Sequence, residues 1–255
     1  MYIKFPKRFS VLDTPVDSVD MQGALAFVDN YIRHGQKPGT ILAINPEKVY
    51  TLRDSPILKE FFENAALLIP DGIGMVKALK LLHNVKVNRV PGADLMQEIC
   101  AKAPKKGYRI FLYGAKEDVN RKAASKIKER FPGIQIAGRA HGYVKPEEMN
   151  ELIMRINEAK ADILFVGLGS PSQEQWMQKY MPRLNVKLLQ GIGGTLDTIT
   201  GKVKRAPIGF QKLGLEWFYR LLKQPTRFKR QLNLVRFVVE VMTCYMQKKR
   251  EKYES

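Results

Sequence analysis

Two cysteines, three histidines and two tryptophans are all that 255 residues contain of those types. Each scarcity closes a route. Cys100 and Cys244 lie far apart in segments patterned as helix, and the opening MYIKFPKRF is basic without the apolar stretch of a secretory signal. The pair therefore reads as reduced thiols in a cytoplasmic protein, not as a disulfide framework. His34, His83 and His141 do not fall at ligand spacing with cysteines or carboxylates, and no Asp-x-Asp pair is present to hold Mg2+ or Mn2+. No metal site and no cofactor are expected. No run of about 18 uninterrupted apolar residues occurs, so no transmembrane helix is expected. Acids are also scarce: 25 Asp and Glu face 43 Lys and Arg, a net charge of +18, and the partner is expected to carry negative charge.

That charge is unevenly spread. Residues 201–255 hold 14 Lys and Arg against four acids, a net +10, so more than half of the excess lies in a C-terminal segment. The first 200 residues read as an ordinary, mildly basic globular domain in a chain that is 45 % hydrophobic and long enough for a substantial core.

Within those 200 residues, strand-length apolar runs alternate with helical patterns. The runs are 40–44, 67–69, 109–113, 134–136, 162–166 and 186–189; helix-like stretches such as 118–131 and 146–159 separate them, the latter with Met149, Leu152, Ile153 and Ile156 on one face. Strands with few polar residues, separated by helices, predict an α/β fold whose largely parallel sheet is covered on both faces. Ligands of such sheets bind beyond the carboxyl ends of the strands. The residues there are Asn45-Pro46-Glu47, Pro70-Asp71-Gly72, Gly114-Ala115, His141-Gly142-Tyr143, Gly167-Leu168-Gly169-Ser170 and Gly191-Ile192-Gly193-Gly194. Glycines at several strand ends together suit a phosphate-containing ligand, because they let backbone N–H groups approach it. The spacing departs from G-x-G-x-x-G, so a nucleotide or nucleotide sugar is favoured over a nicotinamide or flavin.

Asp71 stands out as the one charge in ALLIPDGIGMV. It has two readings: an N-cap for the helix that starts after it, or a reagent beyond a strand end.

The ordered set AINPEK (43–48), PDGIG (70–74), RVPGADL (89–95), FLYGA (111–115), HGY (141–143), GLGSPSQEQW (167–176), QGIGGTLDTITGKVKRAP (190–207) and LGLEWFYRLLKQPTRFKRQ (213–231) resembles the WecG/TagA/CpsF family of bacterial glycosyltransferases over about residues 10–245. The resemblance implies a Rossmann-like domain over 1–200 and a basic amphipathic helical appendage over 201–255. It implies an inverting, metal-independent, UDP-sugar-dependent hexosyltransferase acting on a polyprenyl-diphosphate-linked GlcNAc, peripheral at the inner face of the cell membrane. The donor sugar implied is of the N-acetylmannosamine or N-acetylmannosaminuronic acid class. On this pattern Asp71 becomes the general base and Arg89 a cation for the diphosphate, with pairing to an acid such as Asp94 as the alternative for Arg89. Asn45 would orient sugar hydroxyls, although the threonine common in the family two residues earlier is Ala43 here. Tyr143, Gln173, Glu174 and Asp197 are candidates for uracil and ribose recognition. Arg205, Arg220 and Arg227 are candidates for the acceptor diphosphate.

In the tail, Phe228, Leu232, Val235, Val238/Val239, Met242 and Tyr245/Met246 advance by three and four with cations around them, after the aromatic Trp217-Phe218-Tyr219. A basic amphipathic helix with aromatics suits an anionic membrane surface; packing on its own domain or on a second subunit of a homo-oligomer is the alternative. Two other functions stay open: nucleic-acid binding, which the apolar stripe and the lack of a recognised motif disfavour, and a Rossmann oxidoreductase, which leaves the basic tail unexplained.

Overall fold

A computed structural model of the chain describes residues 3–204, 206–207, 209–210, 216, 218–219 and 228–254. It opens with a short antiparallel hairpin, β1 (Arg8–Val11) and β2 (Thr14–Asp17), turned by Leu12 and Asp13, both at positive φ. The hairpin is fixed to the main sheet by Asp17, 1 % exposed, which accepts from Arg8 Nε at 2.7 Å and from the Leu68 N–H at 2.7 Å. A buried carboxylate is tolerable when paired and hydrogen-bonded in this way.

Helix α1 (Met21–His34) follows, capped by Asp20, which accepts from the Gly23 N–H; it buries Ala24, Leu25, Phe27, Val28 and Tyr31. The six apolar runs then become one parallel sheet: β3 (Gly39–Ile44), β4 (Leu67–Pro70), β5 (Arg109–Gly114), β6 (Gln135–Ala140), β7 (Ile163–Gly167) and β8 (Leu188–Gly191), in the order β4-β3-β8-β7-β5-β6. Side-chain alternation sends the strand residues into two cores. Leu42, Ile44, Leu68, Leu164, Val166 and Leu189 face one; Ile41, Leu67, Ile69, Ile163, Phe165 and Leu188 face the other. The mixed α/β sheet with helices on both faces is the fold expected from the sequence.

The first core is closed by α2 (Pro46–Arg53), α3 (Pro56–Glu63), α4 (Ile73–His83), α7 (Met149–Glu158) and α8 (Ser172–Tyr180); the second by α1, α5 (Gly92–Lys106), α6 (Glu117–Arg130) and α9 (Thr195–Thr200). Met149, Leu152, Ile153 and Ile156 are the buried face of α7, as their spacing predicts. The long C-terminal helix α10 (Phe228–Glu254) lies on α2 and α4. It inserts Phe237 (1 % exposed) and Val241 (5 %) into the first core, roughly 1.5–3 kcal/mol for each such burial. Glu240 pairs with Arg53 at 2.9 Å on the same face. With both side chains partly in water, that ion pair contributes under about 1 kcal/mol and mainly sets register.

The opposite side of α10 carries Leu232, Val235, Val239, Met242 and Met246, each 45–64 % exposed. The stripe legible in the sequence is therefore the outward face, and the inward face is the separate pair Phe237 and Val241. No helix among the described residues is long and apolar enough to cross a membrane.

Candidate functional site

All six strands of the sheet are parallel, so their carboxyl ends share one edge. The helices that leave neighbouring strands diverge there: α8 leaves β7 towards the first core and α6 leaves β5 towards the second, while α2 and α9 diverge in the same way from β3 and β8. Divergence opens a crevice above the strand ends.

The strand-end turns are pressed together at the backbone. Gly114 has a φ of +133°, and a Cβ there would run into the Gly167 carbonyl, so no larger residue fits. At Gly191 a Cβ would lie 2.6 Å from Gln173 Nε2. The loop 141–143 leans inward from β6, with the Gly142 N–H donating to the Ala115 carbonyl at 2.8 Å.

Asp71 ends β4. The helix after it, α4, is capped by Gly72 at φ +130° with no side-chain hydrogen bond, so the cap reading of Asp71 for that helix is not what the structure shows. Instead its Oδ2 accepts from the N–H of Gly92, the first residue of α5, at 3.3 Å. The positive end of a 15-residue helix thus faces the carboxylate. Gly92 is itself held: its carbonyl accepts from Gln190 Nε2 at 2.8 Å, and Gln190, at the end of β8, is fully buried. The Asp71–Gly92–Gln190 chain links the ends of β4 and β8 across the intervening β3.

Arg89 lies in the loop that returns beside β4, where the Val90 N–H bonds the Pro70 carbonyl at 2.9 Å. It pairs at 2.6 Å with Glu216, an acid of the C-terminal segment. Asn45 caps α2, its Oδ1 accepting from the Lys48 N–H at 3.0 Å. A Cβ at Gly72 would lie 3.6 Å from the Asn45 Cβ, so Asn45 and the Asp71 turn are neighbours.

Gln173 and Glu174 are buried in the first turn of α8, at 7 % and 2 % exposure. Gln173 Oε1 accepts from the Gly193 N–H at 2.8 Å, and its Nε2 donates to Glu174 Oε1. Glu174 Oε1 also accepts from Lys48 Nζ at 2.6 Å. Tyr143 is 68 % exposed beyond β6, and its N–H donates to His141 Nδ1. Asp197 sits in α9, 4.0 Å from Lys202 Nζ. Arg205, Arg220 and Arg227 lie outside the described residues.

The structure therefore gathers Asn45, Asp71, Arg89, Gln173 and Glu174 over β4, β3, β8 and β7. Tyr143 stands towards the far edge: five strand spacings separate β4 from β6, roughly 24 Å, so only an elongated ligand engages both ends. Among the described residues no three His, Cys, Asp or Glu side chains converge on a metal site.

Lys48, Gln190 and Glu216 escaped the sequence reading. Lys48 and Gln190 stand inside the quoted blocks AINPEK and QGIGG, but a lysine in a helical pattern reads as solvated, and a glutamine at a strand end reads as a turn residue. Glu216 lies 127 residues from Arg89, and nothing local reveals such a pairing.

The strand ends thus bring glycine turns, the Asp71 carboxylate and the Arg89 guanidinium to one edge of the sheet. The family model described as "Glycosyl transferase WecG/TagA/CpsF family" matches residues 9–251, nearly the whole chain. The chain belongs to the WecG/TagA/CpsF family of glycosyltransferases and is a transferase of cell-surface polysaccharide synthesis.

Proposed function

We propose that the chain is an inverting hexosyltransferase that moves a sugar of the N-acetylmannosamine or N-acetylmannosaminuronic acid class from a UDP donor onto a polyprenyl-diphosphate-linked GlcNAc. The observation that carries this reading is the Asp71 carboxylate, held at the start of α5 beside Asn45 just beyond the end of β4. In a single inverting displacement, the acceptor hydroxyl oxygen attacks the anomeric carbon as the bond to UDP breaks. Asp71 takes the hydroxyl proton, and UDP leaves with the bonding electrons.

Charge builds on the departing diphosphate. Arg89, a planar bidentate donor paired with Glu216, meets it by exchanging that bond for the phosphate oxygens. Asn45 orients sugar hydroxyls, Tyr143, Gln173 and Asp197 form the nucleoside end, and Glu174, tied to Lys48, supports that end from behind. Arg205, Arg220 and Arg227 of the appendage serve the acceptor diphosphate. No divalent ion is required, because cations and backbone N–H groups take its place.

The membrane is the second substrate-bearing surface. The outward stripe of α10 buries into the interface while the basic tail is attracted to anionic lipid, which holds the protein peripheral at the cytoplasmic face. A screen of UDP-sugars with a polyprenyl-diphosphate-GlcNAc analogue, reading UDP release with and without EDTA, tests this function. Release with one hexosamine-type donor, unchanged by EDTA, supports it; no release with any donor, or release that needs Mg2+, refutes the corresponding part.

A further inference from the structure

We propose that Lys48 and Glu174, a buried ion pair behind the crevice, are positioning residues that hold three strand-end turns in register for the donor. The inference rests on reading the crevice as a UDP-sugar site. The side chains of Lys48 and Glu174 are 8 % and 3 % exposed, with Nζ 2.6 Å from Oε1. Lysine and glutamate are almost never buried to this degree unless paired, and a buried pair is often no more stable than two apolar residues of the same volume. Packing alone does not call for these charges.

The connections they make do. Lys48 stands in the first turn of α2, whose cap Asn45 ends β3. Its ammonium also donates to Ser170 Oγ, in the turn after β7, and lies 5.2 Å from the centroid of the Phe62 ring. Glu174 accepts from Lys48 and from Gln173 Nε2, which turns Gln173 Oε1 towards the Gly193 N–H after β8. One ion pair thereby ties the ends of β3, β7 and β8, which are adjacent in the sheet. Glu174 Oε2 finds no partner among the described residues, so the carboxylate is held from one side only, by groups that belong to these turns. Losing the pair frees Gln173 to rotate and lets the Gly193 turn drift, and displacements of about 1 Å are enough to cost a hundredfold in a positioned reaction.

The test is the near-isosteric apolar pair Lys48→Met/Glu174→Leu, measured for UDP affinity by calorimetry and for thermal stability. A positioning role predicts a melting temperature close to wild type with UDP bound about tenfold more weakly or worse. A merely structural role predicts that UDP affinity follows stability, so a stable double variant with wild-type affinity overturns the proposal. Should the double variant not fold, Glu174→Gln carries the test through hydrogen exchange of the Gly193 amide. Faster exchange with weaker UDP binding supports the chain of contacts, and unchanged exchange refutes it. Wild-type protein that fails to bind UDP at all removes the donor-site reading itself, an outcome distinct from either.

Discussion

Replacing Asp71 with asparagine separates chemistry from architecture at one atom. The asparagine keeps a carbonyl oxygen in the place of Oδ2, so the Gly92 N–H retains an acceptor and the start of α5 stays satisfied. The charge lost at the positive end of that helix is worth about 0.3–1 kcal/mol. For a chain of 255 residues that effect lowers Tm by about 2–4 °C. Removing a general base costs far more, about 10²–10⁴ in rate. At 1.36 kcal/mol for each factor of ten, that is roughly 3–5 kcal/mol of barrier, several times the stability effect. Single-turnover transfer to a soluble acceptor, read beside UDP titration and a melting curve, should show turnover down at least about a hundredfold with UDP affinity nearly unchanged. Full turnover in Asp71→Asn would refute the base assignment. Loss of UDP affinity in proportion to turnover would recast Asp71 as a donor ligand.

Other consequences follow from neighbouring contacts. Gln190→Leu removes the bond to the Gly92 carbonyl and should lower kcat by about tenfold while leaving the donor KM within about twofold, since it acts through Gly92 on Asp71 and touches no donor; an unchanged kcat would show that the link to Asp71 is idle. Glu240 has its carboxyl held below the ordinary 4.5, chiefly by the hydrogen bond from Arg53. A depressed folded value means that its stabilisation is present above the unfolded value and lost as pH falls through the folded one. The Tm difference between wild type and Glu240→Gln should therefore be constant near neutrality and vanish as the pH drops below 4.5; a difference that persists in acid would show that docking of α10 does not use this carboxylate. Changing Val235, Val239 and Met242 to serine on the outward face of α10 should abolish sedimentation with anionic liposomes and spare turnover on a soluble acceptor, whereas Arg220→Ala and Arg227→Ala should lower that turnover with the fold intact by circular dichroism. Liposome binding that survives the serine variant would place the contact elsewhere.

The sheet was legible because its strands are buried on both faces and so spell continuous apolar runs. The edge strand β6 was legible only in part: 137–139 is half-exposed, and 137–140 reads Ala-Gly-Arg-Ala, with no apolar run to mark it. The β1–β2 hairpin left still less trace, because its strands are four residues each and its turn uses Leu12 and Asp13 at positive φ, where glycine or asparagine would have signalled it. The candidate site divides similarly. Asp71 and Asn45 announced themselves by standing just past strand ends. The partners that hold them did not: Gln190 reaches Gly92 across 98 residues of sequence and Lys48 reaches Glu174 across 126, and only the order of strands in the sheet brings those positions together. The stripe on α10 was legible as an exposed face, whereas the second apolar surface, Phe237 and Val241, was not, because only packing on α2 and α4 tells the two apart.

On the proposed function, the donor lies above β4, β3, β8 and β7. A crystal structure with UDP bound measures this directly. The diphosphate is expected against the turns at Asn45 and Gly191–Gly194, within reach of Arg89, with the uracil directed towards Gln173 and Tyr143. UDP found instead in the groove between α5, α6 and α9, beside Cys100, Lys126 and Arg130, would contradict it.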